Sequence, residues 1–207
     1  MNQPTKEAFL DDLILSLGKG WSLLAEGALN RKSPFHSLSV ATISGKLPSQ
    51  RIMILREVNP DKRILRFNTD MRTSKVSDIS LSQPISVLAY HPEMKIQMRL
   101  SGLARIETTS EAADTAWDQA SLYGKRCYLA QPAPGSPVSR PTSGLDPLME
   151  GRKPEAEEVL PARKNFGILI AEINQIDWLY LAHTGHRRAE FRWNSQSRDW
   201  DSGWLVP

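Results

Sequence analysis

The sequence predicts a mainly β protein of the α+β class: a small antiparallel β-barrel with an N-terminal helix and flanking helices, in one domain over residues 1–207. Three observations carry this. Between Ser37 and Arg105 five short segments rich in β-branched and aliphatic residues follow one another, separated by turn residues. The same texture returns from residue 166 onward, beyond a long loop. Helical periodicity is confined to the N-terminus and to a stretch after residue 110. Antiparallel strands with few helices suggest a closed barrel.

Phe9, Leu13, Leu17, Trp21, Leu24 and Ala28 recur at spacings of three and four, with Asp11, Asp12, Lys19 and Glu26 between them. This predicts an amphipathic helix over about 5–29, loosened near Gly18 and Gly20. The segments "SLSVATIS", "QRIMILREV", "RILRFNT", "ISVLAY" and "KIQMRLSGLARI" then predict strands, parted by turns such as Ser44-Gly45-Lys46 and Asn59-Pro60-Asp61. "IMIL" is apolar on both faces, as in a strand covered on both sides. In "KIQMRLSG" Ile96, Met98 and Leu100 share one face and Gln97, Arg99 and Ser101 the other, which leaves the polar face to solvent, a ligand or a partner chain. "SEAADTAWDQASLYGKR" predicts a second helix with Ser110 as its N-cap. The loop 131–154 has 12 Pro, Gly or Ser among 24 residues, a composition of lids or irregular segments. The barrel is thus assigned to about 35–105 and 166–207, with helix and loop over about 110–165.

Composition narrows the function. A net charge of +3 fits small anionic ligands, and the cations are too dispersed for a nucleic-acid surface. Cys127 is the only cysteine, so no internal disulfide can form. No apolar run approaches a membrane span, and the acids of "MNQPTKEAFLDDL" are unlike a secretory signal, so a cytoplasmic protein is expected. There is no phosphate-loop motif, no G-x-S-x-G, and no Cys or acidic cluster beside His183 and His186 to hold a metal. With no reaction centre among the side chains, a cofactor is expected to carry any chemistry.

"RFNTDMRTSK" (66–75) places hydroxyls and cations where a strand gives way to the helix-compatible "VSDISLSQ". Free amides at a helix start, joined by Thr69, Thr73, Ser74, Arg72 and Lys75, suit a phosphate; a helix cap with two exposed cations is the alternative. The order "RIMILR" (51–56), "RFNTDMRTSK" and "IQMRLSG" (96–102), with "IDWLYLAHTGHRRAEF" and a terminal "WLVP", resembles the pyridoxamine 5′-phosphate oxidase family of FMN-binding split β-barrels. The resemblance covers roughly 35–105 and 166–207. It implies FMN as cofactor, a homodimer with the flavin near the subunit interface, and a small-molecule substrate. By matching position it places Arg51, Ile52, Met53, Ile54, Leu55 and Arg56 on the strand beside the flavin, and Asn68 and Thr69 at the next strand's end. Ser74 and Lys75 fall at the phosphate, Gln97 at the isoalloxazine edge, and Trp178 and Arg188 at the C-terminal flavin contacts.

The chain departs from the family pattern at several points. Arg56 replaces a lysine, and Thr73-Ser74-Lys75 lacks one phosphate arginine, for which Arg72 is the expected substitute. The positions that hold the substrate phosphate in pyridoxamine 5′-phosphate oxidases fall in "TAWDQASLYGKRCY", where Thr115, Trp117, Asp118 and Gln119 supply no positive charge. Thr184 replaces the arginine of the C-terminal substrate pair, leaving His186 as a substrate contact. The resemblance therefore implies an FMN-dependent oxidoreductase with an altered substrate site, for which pyridoxamine 5′-phosphate is a poor substrate. The rival reading is a non-catalytic flavin- or haem-binding module, with His183 or His186 as haem ligand.

Overall fold

Asp12 sets where the first helix begins: its side chain accepts the Leu15 amide at 2.9 Å, and helix α1 runs from Leu13 to Leu29. The computed structural model describes residues 7–81 and 83–207. The expected helical residues 5 and 6 lie outside the described residues. Residues 8–10 form a separate 3₁₀ turn ahead of the cap, so α1 starts later than periodicity alone implied. It is also unbroken at Gly18 and Gly20. Gly20 and Gly27 serve packing, since a Cβ on Gly20 would lie 2.6 Å from Met98 Cε and one on Gly27 would lie 2.5 Å from the Phe35 carbonyl oxygen.

The eight strands are β1 (Ser37–Ser44), β2 (Leu47–Asn59), β3 (Ile64–Asp70), β4 (Pro84–His91), β5 (Ile96–Glu107), β6 (Phe166–Tyr180), β7 (Arg187–Asn194) and β8 (Asp199–Leu205). All pair antiparallel, in the order β3-β2-β1-β4-β5-β6-β7-β8. The first half of β6 also pairs with β3, from Asp70 opposite Phe166 to Ile64 opposite Glu172. That second pairing closes six strands into a barrel, and β7 and β8 extend from the other half of β6. β2 and β5 stand on opposite sides of the ring, three strands apart.

Alternation decides what fills the barrel. Leu38, Val40, Met53, Leu55, Leu65, Phe67, Val87, Met98, Leu100 and Trp178 point inward with Leu24 and Phe35, and α1 covers one opening. Helix α2 (Ser74–Leu81) follows β3 and inserts Ile79 into the same core.

The expected second helix is two. α3 (Glu111–Gln119) is capped by the Ser110 hydroxyl, which accepts the Ala113 amide. Ser121 then caps a new helix, α4 (Leu122–Arg126), by accepting the Gly124 amide. A second N-cap turns the chain where periodicity ran on. Trp117, Tyr128 and Phe166 pack edge to face beneath α3 and form a smaller core outside the barrel. The loop 131–154 is irregular but tied down: Arg126 donates to the carbonyls of Met149 and Arg152, and the Gln131 amide to that of Gly144. Among the described residues no helix is long and apolar enough to cross a membrane.

Candidate functional site

β3 ends in a turn that the sequence builds locally. Asp70 accepts the Arg72 amide on its carboxylate, and its carbonyl accepts both the amide and the hydroxyl of Thr73. This turn launches α2 with Lys75 in its first turn, directed at the outer strand β2. The result is a groove of about 290 Å³ lined by Arg51, Ile52, Met53, Ile54, Arg56, Asn68, Thr69, Asp70, Lys75 and Tyr128.

Hydroxyls hold the Arg51 guanidinium, with Nη1 donating to Thr42 Oγ1 at 2.8 Å and Nη2 to Ser49 Oγ at 2.7 Å, and the Asp78 carboxylate acts on it electrostatically. Lys75 Nζ donates to Thr73 Oγ1 at 2.9 Å. Burial pushes the Lys75 ammonium below its ordinary pKa and nearby Arg51 pushes it further, with Asp70 opposing them. The acid in this groove is itself neutralised. Arg72 grips both Asp70 carboxylate oxygens and also donates to the Ala130 and Tyr128 carbonyls. The groove therefore carries positive charge, with α2 amides that lack intrahelical partners beside it.

Most of the expected cofactor residues gather here: Arg51, Ile52, Met53, Ile54, Arg56, Asn68, Thr69 and Lys75 all line the groove. Ser74, exposed, precedes Lys75 at the helix start. Arg72, expected as a phosphate cation, is not among the lining residues, because Asp70 and two carbonyls engage its guanidinium. The Leu55 side chain is wholly buried inside the barrel. Trp178, expected at the flavin, is also wholly buried there, edge to face with Phe9.

Gln97 and Arg188 lie elsewhere. They share a row on the outer face of the barrel, with Gln97 opposite Leu179 on β6 and Leu179 opposite Arg188 on β7. The next row is an ion cluster in which Arg99 and Arg188 both bind Asp177. Burial alone would raise the Asp177 pKa, but these hydrogen bonds outweigh it and hold the carboxyl below its usual value. Because β5 faces away from β2, one chain does not bring Gln97 and Arg188 to the groove. His183 and His186 are exposed between β6 and β7.

A second cavity of about 450 Å³ adjoins the groove across a wall made of Arg56, Asn68 and Tyr128. Arg31, Arg66, Ala28, Ala116, Gln119, Ala120, Ser121, Gly124 and Cys127 complete its lining. Along "TAWDQASLYGKRCY" itself no cation stands at the matching positions. The structure supplies them from the facing wall: Arg31 from the turn after α1, Arg56 from β2 and Arg66 from β3. Arg66 could have been found, since it shares a strand face with Asn68. Arg31 and Tyr128 carried no local signal.

Residues 19–108 match the family model for the FMN-binding domain of pyridoxamine 5′-phosphate oxidase. A curated relative, the Arabidopsis thaliana pyridoxine/pyridoxamine 5′-phosphate oxidase 2, is 27% identical over 177 residues, covering 78% of this chain and 83% of its own. A pyridoxamine 5′-phosphate oxidase-related, FMN-binding protein of Nostoc punctiforme has the same fold, with a TM-score of 0.72 and 24% identity over 92% of this chain and 96% of that one. PhzG of Burkholderia lata, solved with tetrahydrophenazine-1-carboxylic acid, superposes with a TM-score of 0.64 at 18% identity, covering 99% of this chain and 98% of its own. The closed barrel, the domain matched over residues 19–108 and the Arabidopsis thaliana relative agree with the motif order along the chain, which is similar to the pyridoxamine 5′-phosphate oxidase-related family of FMN-binding split β-barrels.

Proposed function

We propose that this protein binds FMN and acts as an oxidoreductase on a small molecule, as a homodimer. The observation that carries the reading is the groove between β2, β3 and α2, where Arg51 and Lys75 stand together with the only lining acid already engaged by Arg72. Two cations held close at partial burial repel each other, and a bound dianion offsets that penalty. A phosphate with an apolar ring system suits such a lining. Lys75, Ser74 and the α2 amides would hold the phosphate, Arg51 would add charge, and Ile52 to Ile54 with Asn68 would flank the ring. FMN, when bound, supplies two-electron transfer between a substrate and an acceptor. Arg56, which also lines the groove, would supply a cation to stabilise negative charge that develops on the ring.

A second copy is part of the proposal. Ile52 is 64% exposed and stands on the outer face beside Ser39 and Ala41 of β1 and the exposed Leu88 and Tyr90 of β4. Apolar residues around small ones make a face suited to close contact with another chain. Docking two copies there would bring Gln97 and Arg188 of one chain to the groove of the other, which accounts for their distance from it within one chain.

The test compares FMN with riboflavin, which lacks the phosphate. The purified protein is expected to take up FMN, seen as flavin absorption that survives desalting. Lys75→Ala with Ser74→Ala is expected to weaken FMN by about 10²-fold, from two charge-assisted contacts, and to leave riboflavin nearly unchanged. Equal losses for both ligands would overturn the phosphate assignment.

A further inference from the structure

The loop 131–154, set apart in the sequence by its Pro, Gly and Ser content, has no part in the flavin reading, yet it folds over a cavity of about 610 Å³. Hydrogen bonds within the chain hold its walls. The Gln131 amide donates to the Gly144 carbonyl at 2.6 Å, in a turn where Gly144 takes a φ of +74°. Asp146 Oδ1 accepts the Leu148 amide at 2.8 Å, and the Asp146 carbonyl accepts the amides of Met149 and Glu150. None of the residues lining this cavity lines the flavin groove or the cavity beside it.

Its lining joins apolar walls to negative charge. Leu129, Leu145 and Met149 supply the walls, Gln131, Asp146 and Glu158 the polar groups, and no cation is among them. Glu158 is already matched: Arg152 Nη1 donates to Oε2 at 2.8 Å and Nη2 to Oε1 at 2.5 Å, and the Glu155 amide also donates to Oε2. Asp146 and Glu155 act on the same guanidinium through space, so three carboxylates surround one cation and negative charge is left over. Arg126 donates to the Met149 and Arg152 carbonyls and does not line the space. Asp146 is where the surplus meets the cavity, since among the described residues its carboxylate has only the Leu148 amide as hydrogen-bond partner. The Gln131 side chain makes no hydrogen bond among the described residues, which leaves its oxygen free to turn to the same space.

We propose that this cavity is a second binding site, separate from the flavin groove, and that it takes a small organic cation: a primary ammonium on an apolar body. Asp146 pairs with the ammonium, and the Gln131 oxygen is its second acceptor. The body lies against Leu129, Leu145 and Met149, where the thioether gives an aromatic ring a polarisable contact. A volume of about 610 Å³ suits a small molecule of this kind and not a macromolecule. The assignment does not depend on the flavin reading.

Titration of the full chain with phenethylammonium, followed by NMR at the Gln131, Gly144 and Leu145 amides, tests it. Saturable shifts are expected, with an affinity that falls as salt rises. The neutral isostere 2-phenylethanol should bind about threefold to tenfold more weakly, the worth of one partly exposed ion pair. Asp146→Asn keeps an oxygen for the Leu148 amide, so the turn stays, and it should weaken the ammonium by the same factor while leaving the alcohol unmoved. Leu145→Ala should weaken both probes alike. Absence of saturable shifts at these amides would overturn the site. So would equal affinities for the two probes, or an Asp146→Asn protein that binds the ammonium as its parent does. Displacement of the ammonium by FMN would put it in the flavin groove and overturn the site as well. If the protein takes no FMN yet shows the Asp146-dependent shifts, the flavin reading fails and this site stands.

Discussion

At the residue scale, the proposed phosphate contact of Lys75 would come at the expense of the free fold. Burial, then Arg51, depresses its pKa below the ordinary 10.5. Between the folded and unfolded values the unfolded chain binds the extra proton, so stability of the FMN-free protein rises with pH across that window. Below the folded value the whole penalty is present. Lys75→Met is therefore expected to raise the melting temperature of the FMN-free protein at pH 7, with the advantage shrinking as pH approaches 10.5. The same variant should bind FMN about 10- to 100-fold more weakly, the loss of one charge-assisted contact. Thermal melts at both pH values check the first part; an unchanged or lower melting temperature at pH 7 would contradict it. In the parent, FMN affinity is expected to fall on the alkaline side as Lys75 loses its proton, while riboflavin affinity stays level.

At the scale of the element, the closed barrel depends on β6 serving several neighbours, and the tightest contact lies at the β5 bulge. The register between β5 and β6 shifts at Ser101/Gly102. A Cβ on Gly102 would lie 1.9 Å from the Glu172 carbonyl oxygen, and backbone cannot swing aside as a flexible side chain can. Gly102→Ala is expected to destabilise the fold by about 1–3 kcal/mol, read as a lower denaturation midpoint in urea. Gly18, with open space around it, provides the contrast. Gly18→Ala in the exposed part of α1 should stabilise by up to about 1 kcal/mol. A Gly102→Ala protein as stable as its parent would mean that the strands can part there without loss.

For the whole molecule the decisive question is whether the outer faces of β2, β1 and β4 meet a second copy. The proposal expects sedimentation at twice the chain mass of 23.3 kDa. Ile52→Asp with Leu88→Asp should yield monomers, because each charge would need to be buried unpaired at the interface. Flavin retention should fall in parallel, since Gln97 and Arg188 would lose their groove. A stable monomer that keeps FMN at the parent's affinity would separate the two ideas and remove the dimer from the site.

The strand segments were legible because alternation is a local property, and the five stretches read between Ser37 and Arg105 fall one each on β1 to β5. So was the hydroxyl and cation run 66–75, because Asp70 and Thr73 build their turn from neighbours within three residues. Burial of Trp178, diversion of Arg72 to the 128–130 backbone, and the split of α3 from α4 were decided elsewhere in the chain. The meeting of Arg31, Arg56 and Arg66 was decided at a distance too, by α1 packing across β2 and by the pairing of β2 with β3. A sequence carries periodicity, caps and turn chemistry because they act over a few residues. Which side of a closed ring each strand faces, and which cations meet across a cavity, depend on the closure of β3 onto β6 roughly a hundred residues apart. That pairing exists only once the chain has folded.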